Sequence, residues 1–152
     1  MEYIKKYGVQ VLSVIALIAL FFPMASVTVE GGYMEQTTSV SGLTCALQGY
    51  IAMILFLGPL ALLFIDFLPK YKPHKNILTL LVPVICIIIV FIAYSQASGF
   101  ASVADNEYVE CYSSLGFGGY LCLIAHIGTL VFGLYNNKEL ITNLIKGQKT
   151  GN

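Results

Sequence analysis

The stretch ILTLLVPVICIIIVFIAYSQ, Ile77–Gln96, carries no acidic or basic residue from end to end. A helix needs about 20 mostly apolar residues to cross the hydrocarbon core of a bilayer, and this stretch supplies them. Three more segments of the same character flank it: Tyr7–Ser26, Cys45–Ile65 and Gly116–Tyr135, all free of Asp, Glu, Lys and Arg. The expectation is an all-α membrane protein, a four-transmembrane-helix bundle forming one domain over residues 1–152. Outer loops then cover 27–44 and 97–115, an inner loop 66–76 and a tail 136–152.

Composition points the same way. The chain is 57% hydrophobic and only 11% charged, with a mean hydropathy of +0.80. A soluble domain carries about 25% charged residues, and a bundle this apolar would present water with patches that monomeric globular proteins rarely tolerate. Every basic residue is lysine. Without arginine the chain lacks the residue best suited to bidentate phosphate or carboxylate recognition, and no basic stripe exists for nucleic acid. Lysine-only usage hints at an AT-rich bacterial genome.

The lysines set an orientation. Lys5 and Lys6 precede the first segment, Lys70, Lys72 and Lys75 lie between the second and third, and Lys138, Lys146 and Lys149 follow the fourth. The opposite loops hold Glu30, Glu35, Asp105, Glu107 and Glu110 and nothing basic. By the positive-inside bias the chain is expected in the cell membrane, multi-pass, with both termini cytoplasmic. The first apolar run is longer than the core of a cleaved signal peptide, so an uncleaved span is expected.

Residues 27–42 alternate Thr and Val around Gly31-Gly32, a β-hairpin pattern. An isolated hairpin is marginal in water, and residues 107–113 alternate like a strand that would join it. A small extracellular sheet capping the helices is one reading; two irregular polar loops are the other. At the far end, Leu140, Ile141, Leu144 and Ile145 recur at helical spacing, which suits a short helix in the membrane surface or a frayed extension of the fourth span.

Four residue sets are candidates for a site. Only Cys45 and Cys111 share the oxidising side, so they form a disulfide tying the two outer loops or stand as free thiols. Cys86 and Cys122 lie at membrane depth as small packing residues. His126 is the one residue among Asp, Glu, Lys, Arg and His within a span; it serves as a proton relay, ligand contact or pore-lining group, or as a hydrogen-bonded structural residue. Ala125, Thr129 and Gly133 recur at every fourth position, a helix-packing face of small residues. Asp66, closing the second segment, has Lys70 as its expected partner. No catalytic set, cofactor site or metal site is legible.

Two likenesses add to this. The first two segments and the hairpin between them resemble the front half of a claudin-type four-span protein, whose first loop ends in a Gly-Leu-x-x-Cys element; Gly42-Leu-Thr-Cys45 is one residue shorter, and the second loop cysteine and its preceding Trp are absent. Phe22-Pro-Met-Ala-Ser-Val-Thr-Val, closing with Ser39-Val-Ser-Gly-Leu, resembles small bacterial four-span proteins of unknown function. The expected function is a non-enzymatic membrane protein acting through protein contact, as an accessory, structural or immunity-type factor. Its expected partners are the lipid bilayer and either a homo-oligomer or a partner membrane protein. The alternatives are a subunit of a homo-oligomeric channel or transporter and, less favoured, a membrane thiol oxidoreductase or lipid-active enzyme. The oxidoreductase would need a Cys-x-x-Cys pair, which no two of the four cysteines make.

Overall fold

A computed structural model describes residues 2–31, 34–49, 51–67, 72–105 and 108–138. In chain order the elements are α1 (Glu2–Ala19), β1 (Pro23–Gly31), β2 (Met34–Ser41), α2 (Gly42–Gln48), α3 (Ile54–Phe64), α4 (Lys75–Ala104), β3 (Glu110–Leu115) and α5 (Phe117–Asn136), with one-turn 3-10 helices at Ile65–Phe67 and Lys72–His74.

The all-α four-transmembrane bundle is not what forms. The chain combines helices with a three-stranded antiparallel sheet of order β2-β1-β3, a mixed α and β class. Among the described residues only two helices, Lys75–Ala104 and Phe117–Asn136, are long and apolar enough to cross a membrane; the apolar helices Tyr7–Ala19 and Ile54–Phe67 are shorter.

Each departure is visible in the backbone. The segment Tyr7–Ser26 is cut at Ala19, where the amides of Leu20, Phe21 and Phe22 bond three residues back to Leu17, Ile18 and Ala19 and tighten the chain out of the helix. Pro23, which has no amide to continue a helix, then opens β1. The segment Cys45–Ile65 is broken by Gly49, which ends α2 in an extended conformation (φ −129°, ψ 128°), and α3 restarts only at Ile54. Apolar content alone does not distinguish helix from strand or report a break. The third segment errs the other way. α4 runs through Ala104, and the expected outer loop 97–115 holds about two further helical turns and then β3.

The helices pack as antiparallel neighbours, and small residues mark their closest approaches. Gly8 lies beside Phe132 and Gly128 beside Leu12, which sets α1 against α5. Gly133 sits on the Thr79 carbonyl, joining α5 to α4, and Gly58 meets Val82 and the Cys86 thiol, joining α3 to α4. A Cβ added at Gly118 would fall 2.6 Å from the Ala19 carbonyl oxygen, so α5 can start against the end of α1 only with glycine there. The buried cluster of Ala19, Leu20, Met24, Leu55, Cys86, Ile89, Val90 and Cys122 lies where the helices meet the base of the sheet.

The sheet stands along α4. α5 is 20 residues long and α4 is 30, so α4 exceeds it by about 15 Å at 1.5 Å per residue. The Gly133–Thr79 contact places the surplus at the C-terminal end of α4. Asp105, just beyond it, accepts the Cys111 amide of β3 at 3.4 Å, while at the other end of β3 the Gly116 amide bonds the Met24 carbonyl at 2.9 Å and starts α5. The strands therefore run beside the last turns of α4 and away from the helices.

Candidate functional site

The sheet concentrates the acidic residues. Cross-strand register sets Glu30 opposite Glu35 on one side and opposite Glu110 on the other, so three carboxylates form a row on one face. Like charges directly opposite one another oppose strand pairing. Tyr112 offsets part of this: its hydroxyl donates to Glu30 Oε1 at 2.8 Å. That hydrogen bond, with the nearby charges of Glu30 and Glu35, pushes the Tyr112 phenol above its ordinary value of 10. Beneath it the hydroxyls of Thr28 and Thr37 pair at 3.0 Å across the strands.

The two edges of the sheet differ. The outward amide of Cys111 on β3 is taken by Asp105. β2 is exposed along Met34–Val40, and no described residue pairs with its outer edge. At its end Ser41 caps α2, its hydroxyl accepting the Thr44 amide at 3.2 Å.

The opposite end of the molecule carries the described lysine positions. The Lys75 ammonium bonds both carboxylate oxygens of Asp66 at 2.6 and 2.8 Å, and the Gln10 amide donates to Asp66 Oδ2 at 2.5 Å. Asp66 thus ties α1, the end of α3 and the start of α4 together. Its partner is Lys75 and not the expected Lys70, which lies outside the described residues, as do Glu107, Lys146 and Lys149. The expected surface helix around residues 140–145 lies outside them too.

Of the two alternatives for Cys45 and Cys111, the structure has the free thiols. Cys45, Cys86, Cys111 and Cys122 are all free thiols. Cys111 pairs with Val29 and Pro23 pairs with Ser41, so six strand residues, about 20 Å at 3.3 Å each, lie between the level of Cys111 and the base of the sheet from which α2 and Cys45 continue. Cys45 also follows the strand on the far side of the sheet from β3. A disulfide needs Cα atoms within about 7 Å. Burial pushes the Cys45 thiol up.

The interior polar residues are mostly satisfied within their own helices. Ser13 donates to Val9 O and Thr129 to Ala125 O, each at 2.8 Å. Asn137 Nδ2 reaches Gly133 O at 2.8 Å and Asn76 O at 3.2 Å, bridging α5 to α4. Ala125, Thr129 and Gly133 are all buried, and Gly133 faces α4 of the same chain. His126 is 2% exposed, and its Nε2 has no partner among the described residues. No group of three His, Cys, Asp or Glu able to hold a metal ion occurs among them.

Compared with known proteins, the chain matches no protein family, no curated protein and no solved structure. The claudin-like and small bacterial four-span resemblances therefore rest on the loop and segment pattern alone. Sequence reading missed the Glu30–Tyr112 bond, the Asp105–Cys111 bond and the Gln10–Asp66–Lys75 cluster. A turn at Gly31-Gly32 would set Glu30 opposite Tyr33; the observed register pairs Gly31 with Met34 and so sets Glu30 opposite Glu35, and the register of β3 has no local signal either.

Proposed function

We propose that the chain is embedded in a lipid bilayer through its helices and acts by protein contact at the sheet, which stands outside. The observation that carries the membrane reading is the inverted character of α5. Its buried positions are Gly118, Gly119, Cys122, Ala125, His126, Thr129 and Gly133, whereas Phe117, Tyr120, Ile124, Ile127, Val131 and Leu134 are exposed. α4 exposes Ile77, Leu81, Val84, Ile88 and Phe91 at alternating steps of four and three, with Ile92 beside the last. Only 28% of the most apolar window of α4 and 39% of that of α5 is buried, whereas a core helix of a soluble protein would be mostly covered. Water penalises such surfaces; a bilayer accepts them and favours small and polar groups between helices.

Orientation follows from charge. The described lysine positions lie at the end away from the sheet and the carboxylate row lies on the sheet, so the positive-inside bias puts the sheet outside and the N-terminus in the cytoplasm. Contact is favoured as the mode of action by the open edge of β2 and by the extension of the sheet, beside the last turns of α4, past the ends of α1 and α5.

Alkaline carbonate extraction of cell membranes tests the embedding, and an impermeant maleimide tests the orientation. In a Cys45→Ser, Cys111→Ser background, Met34→Cys is expected to label in intact cells and Lys138→Cys only after permeabilisation. Release of the protein by carbonate overturns the membrane reading; labelling of Lys138→Cys from outside overturns the orientation.

A further inference from the structure

We infer that β2 pairs with β2 of a second copy of this chain, in a two-fold register centred on Thr37, joining the two sheets into one of six strands. This rests on the membrane reading only for the relative placement of the two copies.

The direction of each backbone group on β2 follows from the hairpin. Two residues separate the strands and Gly31 pairs with Met34, so the Met34 amide points to the Gly31 carbonyl. Alternation then turns the amides and carbonyls of Met34, Gln36, Thr38 and Val40 towards β1 and those of Glu35, Thr37 and Ser39 to the free edge. The same alternation carried across β1 turns Cys111 outward on β3, and its amide is found on Asp105. The close hydroxyl contact of Thr28 with Thr37 also fits, since side chains approach most nearly at a pair that exchanges no backbone bonds.

Edge strands that stay unpaired are usually blunted by lysine, proline, a bulge or a covering element. β3 has Asp105. β2 has neither lysine nor proline and a single charged residue, Glu35, near its turn end, and the irregularity in its pairing with β1 is confined to Pro23/Ala25 at the base. Its residues select the partner. A two-fold antiparallel pairing on the outer edge must centre on a single residue. Centred on Thr37, it engages all of Met34–Val40, sets the exposed Met34 (82%) opposite the exposed Val40 (38%) twice, and places Glu35 opposite Ser39. A centre on Glu35 would oppose two glutamates; centres on Gln36 or Thr38 shorten the ladder and leave Met34 without Val40. The strand is self-complementary in one register, the isologous contact that closed two-fold dimers use.

Antiparallel pairing inverts the second copy. Because the strands run along α4, the helices of the two copies point in opposite directions, and in membranes the contact joins molecules in two facing bilayers.

The test is a single-cysteine scan in full-length protein carrying Cys45→Ser and Cys111→Ser. In the Thr37-centred ladder the two Thr37 Cα atoms lie about 5.5 Å apart, inside the range a disulfide spans. The two Glu35 positions are four residues out of register, about 13 Å along the strand. Mild oxidation is expected to convert Thr37→Cys to covalent dimer and to leave Glu35→Cys monomeric. Proteoliposomes of the unaltered protein are expected to cluster, and Thr37→Pro, which removes only an outward amide, to disperse them. Thr37→Cys remaining monomeric, Glu35→Cys cross-linking equally, or unaltered proteoliposomes staying dispersed overturns the inference. Carbonate extraction reads the membrane assignment separately, so failure of one is distinguishable from failure of the other.

Discussion

The Cβ that any other residue would carry at position 133 falls 2.9 Å from the carbonyl oxygen of Thr79. The obstacle is backbone, which cannot swing aside as a side chain can, and Asn137 already bridges Gly133 O to Asn76 O in the same turn. Gly133→Ala is therefore expected to destabilise the α4–α5 contact by about 1–3 kcal/mol. Gly99 on α4 has nothing within 4 Å of its added Cβ, so Gly99→Ala is expected to be neutral or to stabilise by about 0.5–1 kcal/mol through helix propensity. Reversible unfolding in mixed micelles at increasing SDS fraction measures both; equal effects would refute the packing account.

Asp66 joins Lys75 and Gln10 across three elements, with the Asp66 and Lys75 side chains about a third exposed. Partial exposure screens the pair, so a double-mutant cycle with Asp66→Ala and Lys75→Ala is expected to give a coupling of about 0.5–1 kcal/mol that shrinks with added salt. A salt-independent coupling would mean that packing and not charge supplies it.

Neutral Tyr112 donates to Glu30, and the deprotonated phenolate would instead face the Glu30 and Glu35 carboxylates. Its folded pKa lies above its ordinary value of 10, so its contribution to β1–β3 pairing is fully present below pH 10 and is lost as pH rises through the raised value. Ultraviolet titration is expected to show a phenol ionising late, and Tyr112→Phe to delete that phase. Persistence of the late phase in Tyr112→Phe would assign it elsewhere.

Both Cys45 and Cys111 are unbridged. Cys111 is expected to react with maleimide without prior reduction. Cys45, its thiol raised by burial, is expected to react slowly at neutral pH and about tenfold faster per unit of pH until it ionises. Labelling that appears only after reductant would restore the disulfide.

His126 is buried with Nε2 lacking a partner among the described residues. Removing such a group without leaving a cavity relieves a desolvation cost of about 1–3 kcal/mol. His126→Leu is therefore expected to raise resistance to SDS unfolding. A marked loss would show that His126 makes a structural contact.

The sequence by itself determined where the apolar segments lie, that α4 and α5 carry enough apolar residues to cross a membrane, and that the lysines fall only in alternate connections between the segments. These properties are additive along the chain, so counting reads them. It offered the β1–β2 hairpin as one of two readings, because alternation is local, but its register, with Gly31 opposite Met34, came from the structure. Only the tertiary structure decided that Pro23–Ser26 is strand, that Gly49 divides α2 from α3, and that residues 97–104 are helix, since each depends on which neighbour offers hydrogen bonds or packing. It alone decided the partners: Lys75 for Asp66, Asp105 for Cys111, Glu30 for Tyr112, and no disulfide partner for Cys45. Those pairs are separated by up to 82 residues in the chain, and contacts at that range are fixed by the packing of α1, α3, α4 and α5 against one another and by β3 joining the far side of β1. No short-range signal encodes them.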